Sequence, residues 1–175
     1  MILKSLFNIL GFQISWWACI LGASNGIPYI GPIVMSLFLI IHLIFISKNL
    51  QELKLIIIFA LVGTFIDSGL LFSGILSYEG LYSLGIPIAP LWITAMWCGF
   101  SATINHSMKW LTNKWLITFL LGAFFGPAAY LTGEKFGAIN FFTDVPNIAI
   151  ILALVWGGSI PLIYWVNNWL ITSNK

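Results

Sequence analysis

The sequence predicts an all-α protein: a polytopic bundle of about six transmembrane helices in a single domain, 1–175. Hydrophobic residues make up 60% of the chain and charged residues only 7%, whereas a soluble domain carries about 25% charged residues. Apolar runs of about 20 residues recur, and a helix needs this length to cross about 30 Å of hydrocarbon. No basic cluster is present, so we expect membrane lipids and no nucleic acid as partners.

The first half of the chain contains three predicted spans. Span one, 5–23, has the length of a signal peptide, but Gln13 and two tryptophans interrupt it and a second apolar run follows at once. We therefore expect a retained helix. Span two, 28–46, begins at a Gly-Ile-Pro turn. Span three, 53–76, follows a polar connection and is almost wholly apolar, yet it contains Asp67.

The second half contains the other three predicted spans, 87–107, 115–132 and 147–169. Span four begins at a second Gly-Ile-Pro sequence and ends before two lysines. A short Lys-to-Lys connection leads to span five, and a connection rich in glycine and polar residues leads to span six. None of these connections is long enough to suggest a second domain.

The lysines are divided unequally between the two sides of this arrangement. One set of loops contains only Lys135, whereas the amino terminus, the alternate loops and the carboxyl tail contain Lys4, Lys48, Lys54, Lys109, Lys114 and Lys175. Short loops rich in lysine remain in the cytoplasm. Both termini are therefore predicted to be cytoplasmic.

Asp67 is the most informative residue of the chain. It lies about 20 Å along span three from the cytoplasmic side, inside a hydrocarbon core of about 30 Å. A carboxylate at the bilayer centre costs at least about 2.5–3.5 kcal/mol, so we expect Asp67 to face the bundle. Tyr130 is the preferred partner, because its hydroxyl can donate to a carboxylate. The acid either takes part in transport or proton exchange, or fixes helix packing.

Span five contains Gly122, Gly126 and Pro127, and Gly133 follows it. Small residues at this spacing let a neighbouring helix approach closely, and proline removes a helical hydrogen bond and can kink the helix. The segment therefore either frames a cavity or packs closely in the ordinary way.

A second polar layer is predicted nearer the cytoplasm. Gln13 and His42 are expected at similar depth, with His106 closer to the interface. The two histidines either ligate a haem as a pair or make ordinary hydrogen bonds, and the second reading is preferred. We find no metal cluster, phosphate loop or nucleophile with an adjacent base, and we expect no metal and no cofactor.

The chain resembles a family of uncharacterised bacterial inner-membrane proteins, domain of unknown function 2878. The residues that carry the resemblance extend along nearly the whole chain: Gln13, Trp16, Trp17, Ala18, Cys19, Leu21, Gly22, Ala23, Gly63, Asp67, Pro90, Leu91, Trp92, Trp97, Phe100, His106, Ser107, Trp110, Leu111, Leu121, Gly122, Ala123, Gly126, Pro127, Tyr130, Gly133, Gly137, Ala138, Trp156 and Pro161. Trp17 departs from it, since the family favours phenylalanine there. The resemblance implies a multi-pass location in a bacterial inner membrane, no established activity, and proximity to lipid-modifying enzymes.

Three functions from different classes remain open. The chain binds or translocates a lipid-like or small amphipathic molecule, using Asp67, Tyr130 and the bend in span five. Alternatively, it is the membrane assembly partner of a lipid-modifying enzyme. A membrane-embedded lipid-modifying enzyme, with Asp67 or His106 as proton donor or acceptor, is the least favoured of the three, because paired catalytic groups are scarce.

Overall fold

A computed structural model describes residues 2–47, 49–83 and 85–172 of the protein. Its elements are, in chain order, α1 (Ile2–Ser24), α2 (Ile30–Ile41), a π-helical continuation of α2 (His42–Ser47), α3 (Leu50–Phe72), β1 (Leu76–Tyr78), α4 (Leu91–Ser101), a 3-10 turn (Lys109–Leu111), α5 (Trp115–Lys135), β2 (Ile139–Phe141) and α6 (Val145–Thr172). The predicted all-α bundle is confirmed. Lys48 and Lys175, which the orientation prediction used, lie outside the described residues.

Five helical segments of the described chain are long and apolar enough to cross a membrane: Leu3–Ser24, Ile30–Ser47, Leu50–Phe72, Trp115–Lys135 and Val145–Thr172. Their outward faces are apolar. On α3, for example, Leu61, Phe65 and Phe72 are 70–80% exposed, whereas Asp67 on the same helix is fully buried. Polar groups inside and apolar groups outside fit a hydrocarbon environment, since water is absent there to solvate an outward-facing charge. The chain is thus a multi-pass membrane protein.

The prediction for span four was wrong in extent. We expected a helix over 87–107, but α4 covers only Leu91–Ser101, which is about 16 Å of helix. The chain then makes turns over 102–108 while staying inside the protein, where Ala102 is fully buried. Asn8 of α1 compensates for the lost helical bonds: its Nδ2 donates to the Ala102 carbonyl at 3.0 Å, and its Oδ1 accepts from the Ser107 N–H at 3.3 Å. Irregular backbone at membrane depth needs such partners.

The helices pack in a chain of neighbours. The α1 helix packs against α2 and α4, α3 packs against α4 and α6, and α5 and α6 form the most extensive pair. Close approach of α5 and α6 depends on Gly122, where an added Cβ would lie 2.3 Å from the Trp156 carbonyl oxygen. Small residues at helix contacts are a common solution in membranes, because association there depends on van der Waals packing.

Two connections that the sequence presents as simple loops pair as a small sheet. Strands β1 and β2 are antiparallel, with Leu76 opposite Phe141 and Tyr78 opposite Ile139. The turn into β2 is a glycine-dependent helix end: Gly137 has φ +77°, and the Ala138 N–H donates to the Gly133 carbonyl at 2.9 Å. The sheet covers one end of the bundle and buries the side chain of Tyr78.

Candidate functional site

Asp67 lies at the meeting point of α3, α4, α5 and β1, with no exposed surface. Its Oδ1 accepts hydrogen bonds from the Tyr130 hydroxyl and from the Tyr78 hydroxyl, the latter at 2.5 Å. Its Oδ2 accepts from Trp97 Nε1 at 2.7 Å. The structure therefore brings together the predicted pair of Asp67 and Tyr130. Sequence reasoning missed Tyr78 because it lies in a connection, and missed Trp97 because a buried indole is most often a packing residue.

The donors around Asp67 are all uncharged groups. As a carboxylate, Asp67 accepts from all three donors with its two oxygens. As a neutral acid, it can donate its proton to a tyrosine oxygen, since a phenol both donates and accepts. Burial, and then the charge of Asp67, raises the pKa of Tyr78 well above its usual value, so this hydroxyl keeps its own proton. The group can thus exchange a proton at Asp67 without losing its hydrogen bonds.

A cavity of about 410 Å³ lies beside Asp67 and Tyr130. It is bordered by α1, α3, α4, α5, β2 and α6, and most of its lining is apolar. Gln13 of α1 also lines it, and this amide is exposed and makes no hydrogen bond within the described part of the chain. Ligand sites in proteins combine such an apolar lining with a few polar groups, in volumes of about 300–1,000 Å³.

One wall of the cavity is a pair of stacked indoles. Trp97 and Trp156 have ring centroids 4.5 Å apart and nearly parallel planes. Glycine provides the space for both rings: a Cβ on Gly63 would lie 2.1 Å from the Trp97 ring, and one on Gly126 would lie 2.3 Å from Trp156. The Trp156 N–H is buried beside the Tyr130 hydroxyl, and it makes no hydrogen bond of ordinary geometry in the described residues.

The other residues predicted in span five occupy different positions. Only Gly126 lines the cavity. Gly122 packs against α6, and Gly133 lies against β2, where a Cβ would be 2.8 Å from Ile139 Cδ1. Pro127 is buried in α5, which continues as helix on both sides of it.

A second polar cluster forms where α2 ends and α3 begins; we call His42, Glu52 and His106 the inner cluster. His42 Nε2 lies 2.7 Å from Glu52 Oε1, and His106 Nε2 lies 3.0 and 3.1 Å from the two Glu52 oxygens. Ser47 also donates to Glu52. Sequence reasoning placed Glu52 in a loop. In the structure Asn49 caps α3 by accepting from the Gln51 N–H at 2.9 Å, so Glu52 lies in the first helical turn and is 3% exposed.

The position of the Asn8 side chain favours one tautomer of His42. The Asn8 Oδ1 accepts from the Ser107 hydroxyl at 2.6 Å, so the Asn8 Nδ2 points toward His42 Nδ1 at 3.5 Å. His42 Nδ1 then accepts, and the Nε2–H donates to Glu52. Gln13 lines the cavity rather than joining this cluster.

The inner cluster has no geometry for a paired haem. The rings of His42 and His106 are perpendicular, with centroids 4.7 Å apart. Both Nε2 atoms contact the same carboxylate oxygen, so Glu52 occupies the position that the iron would need. His42, Glu52 and His106 offer one ligand atom each, all within 4.8 Å of one another. Among the described residues this group has the composition of a site for a single metal ion.

Comparison with known proteins gives one family. The sequence pattern of the family described as "Protein of unknown function (DUF2878)" matches residues 5–162, which confirms the predicted resemblance. This range contains Asp67 with its three donors as well as the inner cluster. No curated protein and no solved structure matches the chain.

Proposed function

We propose a function for this chain, which belongs to the DUF2878 family; the family description names no activity. The protein binds a lipid-like or small amphipathic molecule and carries it within the inner membrane of a bacterium. The observation that carries this proposal is the cavity of about 410 Å³ with the buried acid Asp67 at its side. A buried carboxylate in a membrane protein is expensive and marks a substrate or proton pathway by default.

The lining of the cavity supports a ligand with an apolar body and one polar end. Aromatic and aliphatic side chains form most of the surface, while the Gln13 amide and the Trp156 N–H are polar groups with no hydrogen-bond partner in the described residues. An apolar ligand would leave the buried Trp156 N–H unsatisfied, at about 1–3 kcal/mol, and would offer no partner to the exposed Gln13 amide. A ligand that carries a hydroxyl, carbonyl or carboxyl oxygen would satisfy them.

The packing of the helices supports access from the bilayer. Both α1 and α5 line the cavity, yet α1 packs mainly against α2 and α4, and α5 packs mainly against α6. Gln13 of α1 and Phe125 of α5 line the cavity and are also exposed at the surface. A molecule dissolved in the membrane would therefore enter sideways between these two helices.

The short helix α4 fits the same function. The irregular segment 102–108 after it is buried in protein, where such backbone is tolerated at membrane depth, and the cavity is lined by the helical part. The α4 helix stops at Ser101, and its Trp92, Met96, Trp97 and Phe100 all line the cavity.

Identification of bound molecules tests the proposal. The protein is purified in a mild detergent, and the small molecules that remain bound are extracted and identified by mass spectrometry. Ala129 lines the cavity, so Ala129→Phe should fill it and remove the bound molecule. Gly158 lies in α6 with open space around its Cβ position, so Gly158→Phe adds a ring outside the cavity and should retain the molecule.

The two variants must unfold at similar temperatures for this comparison to hold. Equal retention of the same molecules by the wild type and by folded Ala129→Phe would rule out this cavity as the binding site.

A further inference from the structure

The inner cluster is separate from the cavity, since neither His42, Glu52 nor His106 lines it. We propose that these three side chains bind a divalent first-row transition-metal ion. The ligands would be the Nε2 atoms of the two histidines and the carboxylate of Glu52.

The distances between the ligand atoms suit one ion. In tetrahedral sites the ligand atoms lie about 2.0–2.2 Å from the metal, and so about 3.3 Å from one another. The two imidazole nitrogens lie 2.7 and 3.0 Å from Glu52 Oε1, and all three ligand atoms lie within 4.8 Å of one another. The separations between the ligand atoms therefore have to change by at most about 1.5 Å to reach this spacing.

The chemistry of the donors restricts the ion. Imidazole nitrogens favour zinc, iron, copper and nickel, whereas magnesium and calcium favour sites made of oxygen alone. Three protein ligands leave a coordination position open. Ser47 places a hydroxyl beside Glu52 and lies on the same π-helical segment as His42, and π-helical segments are frequent at functional sites.

Metal binding requires each histidine to carry its proton on Nδ1. On His42 this proton would face the Asn8 amide nitrogen, which lies 3.5 Å from Nδ1, so the His42 ring must turn away from Asn8 when the ion binds. Asn8 keeps its bonds to the Ala102 carbonyl and to Ser107. The His106 side chain is 18% exposed, and its Nδ1 makes no hydrogen bond within the described residues, so it can carry the proton and give the ion access from outside.

The experiment uses the full chain, purified in detergent with a tag that contains no histidine and treated with a chelator. ZnCl2 and CoCl2 are then added. We expect one ion per chain, a higher unfolding temperature with Zn²⁺, because a ligand that binds the native state stabilises it, and ligand-field bands of protein-bound Co²⁺ in the visible spectrum.

Two variants and a control decide the assignment. Glu52→Gln keeps the size of the side chain, and His106→Gln changes the most exposed ligand, so the second variant decides the matter if the first does not fold. Each should weaken Zn²⁺ binding by at least about tenfold, since even the outer partners of metal ligands contribute 10–100-fold. Glu134→Gln, an exposed acid at the end of α5, should bind like the wild type.

Absence of stoichiometric binding to the folded wild type would overturn the site, and the inner cluster would then be a hydrogen-bond network only. Equal Zn²⁺ binding by the wild type and both folded variants would overturn it as well. Neither result depends on the cavity or on the molecules extracted from it.

Discussion

The chain buries two acids on one helix and surrounds them differently. Asp67 and Glu52 are fifteen residues apart on α3, about 22 Å along the helix, with 0% and 3% exposure. Two phenols and an indole surround Asp67, whereas two imidazoles and a hydroxyl surround Glu52. Phenols and indoles donate hydrogen bonds with their charge unchanged near neutral pH, while imidazoles also take up protons and bind metals.

The difference shows that burial alone does not define the role of a membrane carboxylate. Asp67 borders a cavity, and its three hydrogen-bond donors stay neutral near pH 7. This position beside a cavity favours contact with a ligand. Glu52 sits among groups that can coordinate a metal, and it does not line the cavity beside Asp67. The partners of each acid therefore indicate its chemistry.

The largest expected effect concerns Asp67→Leu. Leucine removes the acceptor of three buried donors, and each unpaired donor costs about 1–3 kcal/mol, so the free energy of unfolding should fall by at least about 3 kcal/mol. Unfolding by heat or by a denaturing detergent measures it.

Asp67→Asn is the matched control for that change. Its amide oxygen can accept from Trp97, and its amino group can donate to the tyrosine oxygens, but the phenol hydrogens lose Oδ1 as their acceptor. Asp67→Asn should therefore destabilise by about 1–3 kcal/mol, less than Asp67→Leu. If the leucine and asparagine variants unfolded alike, the hydrogen bonds that asparagine can keep would contribute nothing to stability.

Glu52→Leu should have a smaller effect than Asp67→Leu, about 2–6 kcal/mol for two unpaired donors against about 3–9 kcal/mol for three. It leaves the His42 N–H and the Ser47 hydroxyl without their acceptor, but the partly exposed His106 can bond to water. The same unfolding assay measures it. A loss equal to that of Asp67→Leu would show that His106 is as dependent on Glu52 as His42 is.

Gly126→Ala should destabilise by about 1–3 kcal/mol, because its Cβ would overlap the Trp156 side chain and force the indole pair to move. Gly158→Ala has open space at the same kind of position and should stabilise α6 by up to about 1 kcal/mol. Thermal unfolding of both variants, with tryptophan fluorescence as the signal, checks the pair. If both substitutions destabilised the protein, the loss of stability would come from the helix geometry at these glycines and not from overlap with the Trp156 side chain.

Gln13→Leu should have the smallest effect on stability, within about 0.5 kcal/mol. The Gln13 side chain is exposed and makes no hydrogen bond that leucine would break in the described residues. The variant should nevertheless retain less of the bound molecule, measured by mass spectrometry of extracts. Unchanged retention would remove Gln13 from the proposed site.

The features that the sequence predicted correctly depend on local properties. Hydrocarbon length and composition predict the helices, and the inward orientation of Asp67 follows from the cost of exposing a carboxylate to lipid. The end of α4 was not predictable in this way, because it depends on Asn8, which is 94 residues away from its partner Ala102. Glu52 was missed for a related reason: next to a lysine and a polar connection it has the pattern of a surface acid.

Tyr78 reaches Asp67 only because two connections pair as strands, which no periodicity in either connection indicates. Tyr130 was found because depth along a helix can be counted from the sequence. The contact of Asp67 with Tyr130 was therefore predictable from depth, and that with Tyr78 was not. Trp97 lies on the regular helix α4 and was missed for a different reason, because an indole at this depth usually packs rather than donates to an acid.

The pairing of β1 with β2 also has a mechanical consequence. It ties the end of α3 to the end of α5, and Asp67 joins the same two elements through Tyr78 and Tyr130. Separating α3 from α5 would break the sheet and both hydrogen bonds together, so this side of the cavity is a fixed wall. Between α1 and α5 the described residues make ring contact, Trp17 against Phe136 at the end of α5, but no side-chain hydrogen bond, so α1 can move away from α5 without breaking one.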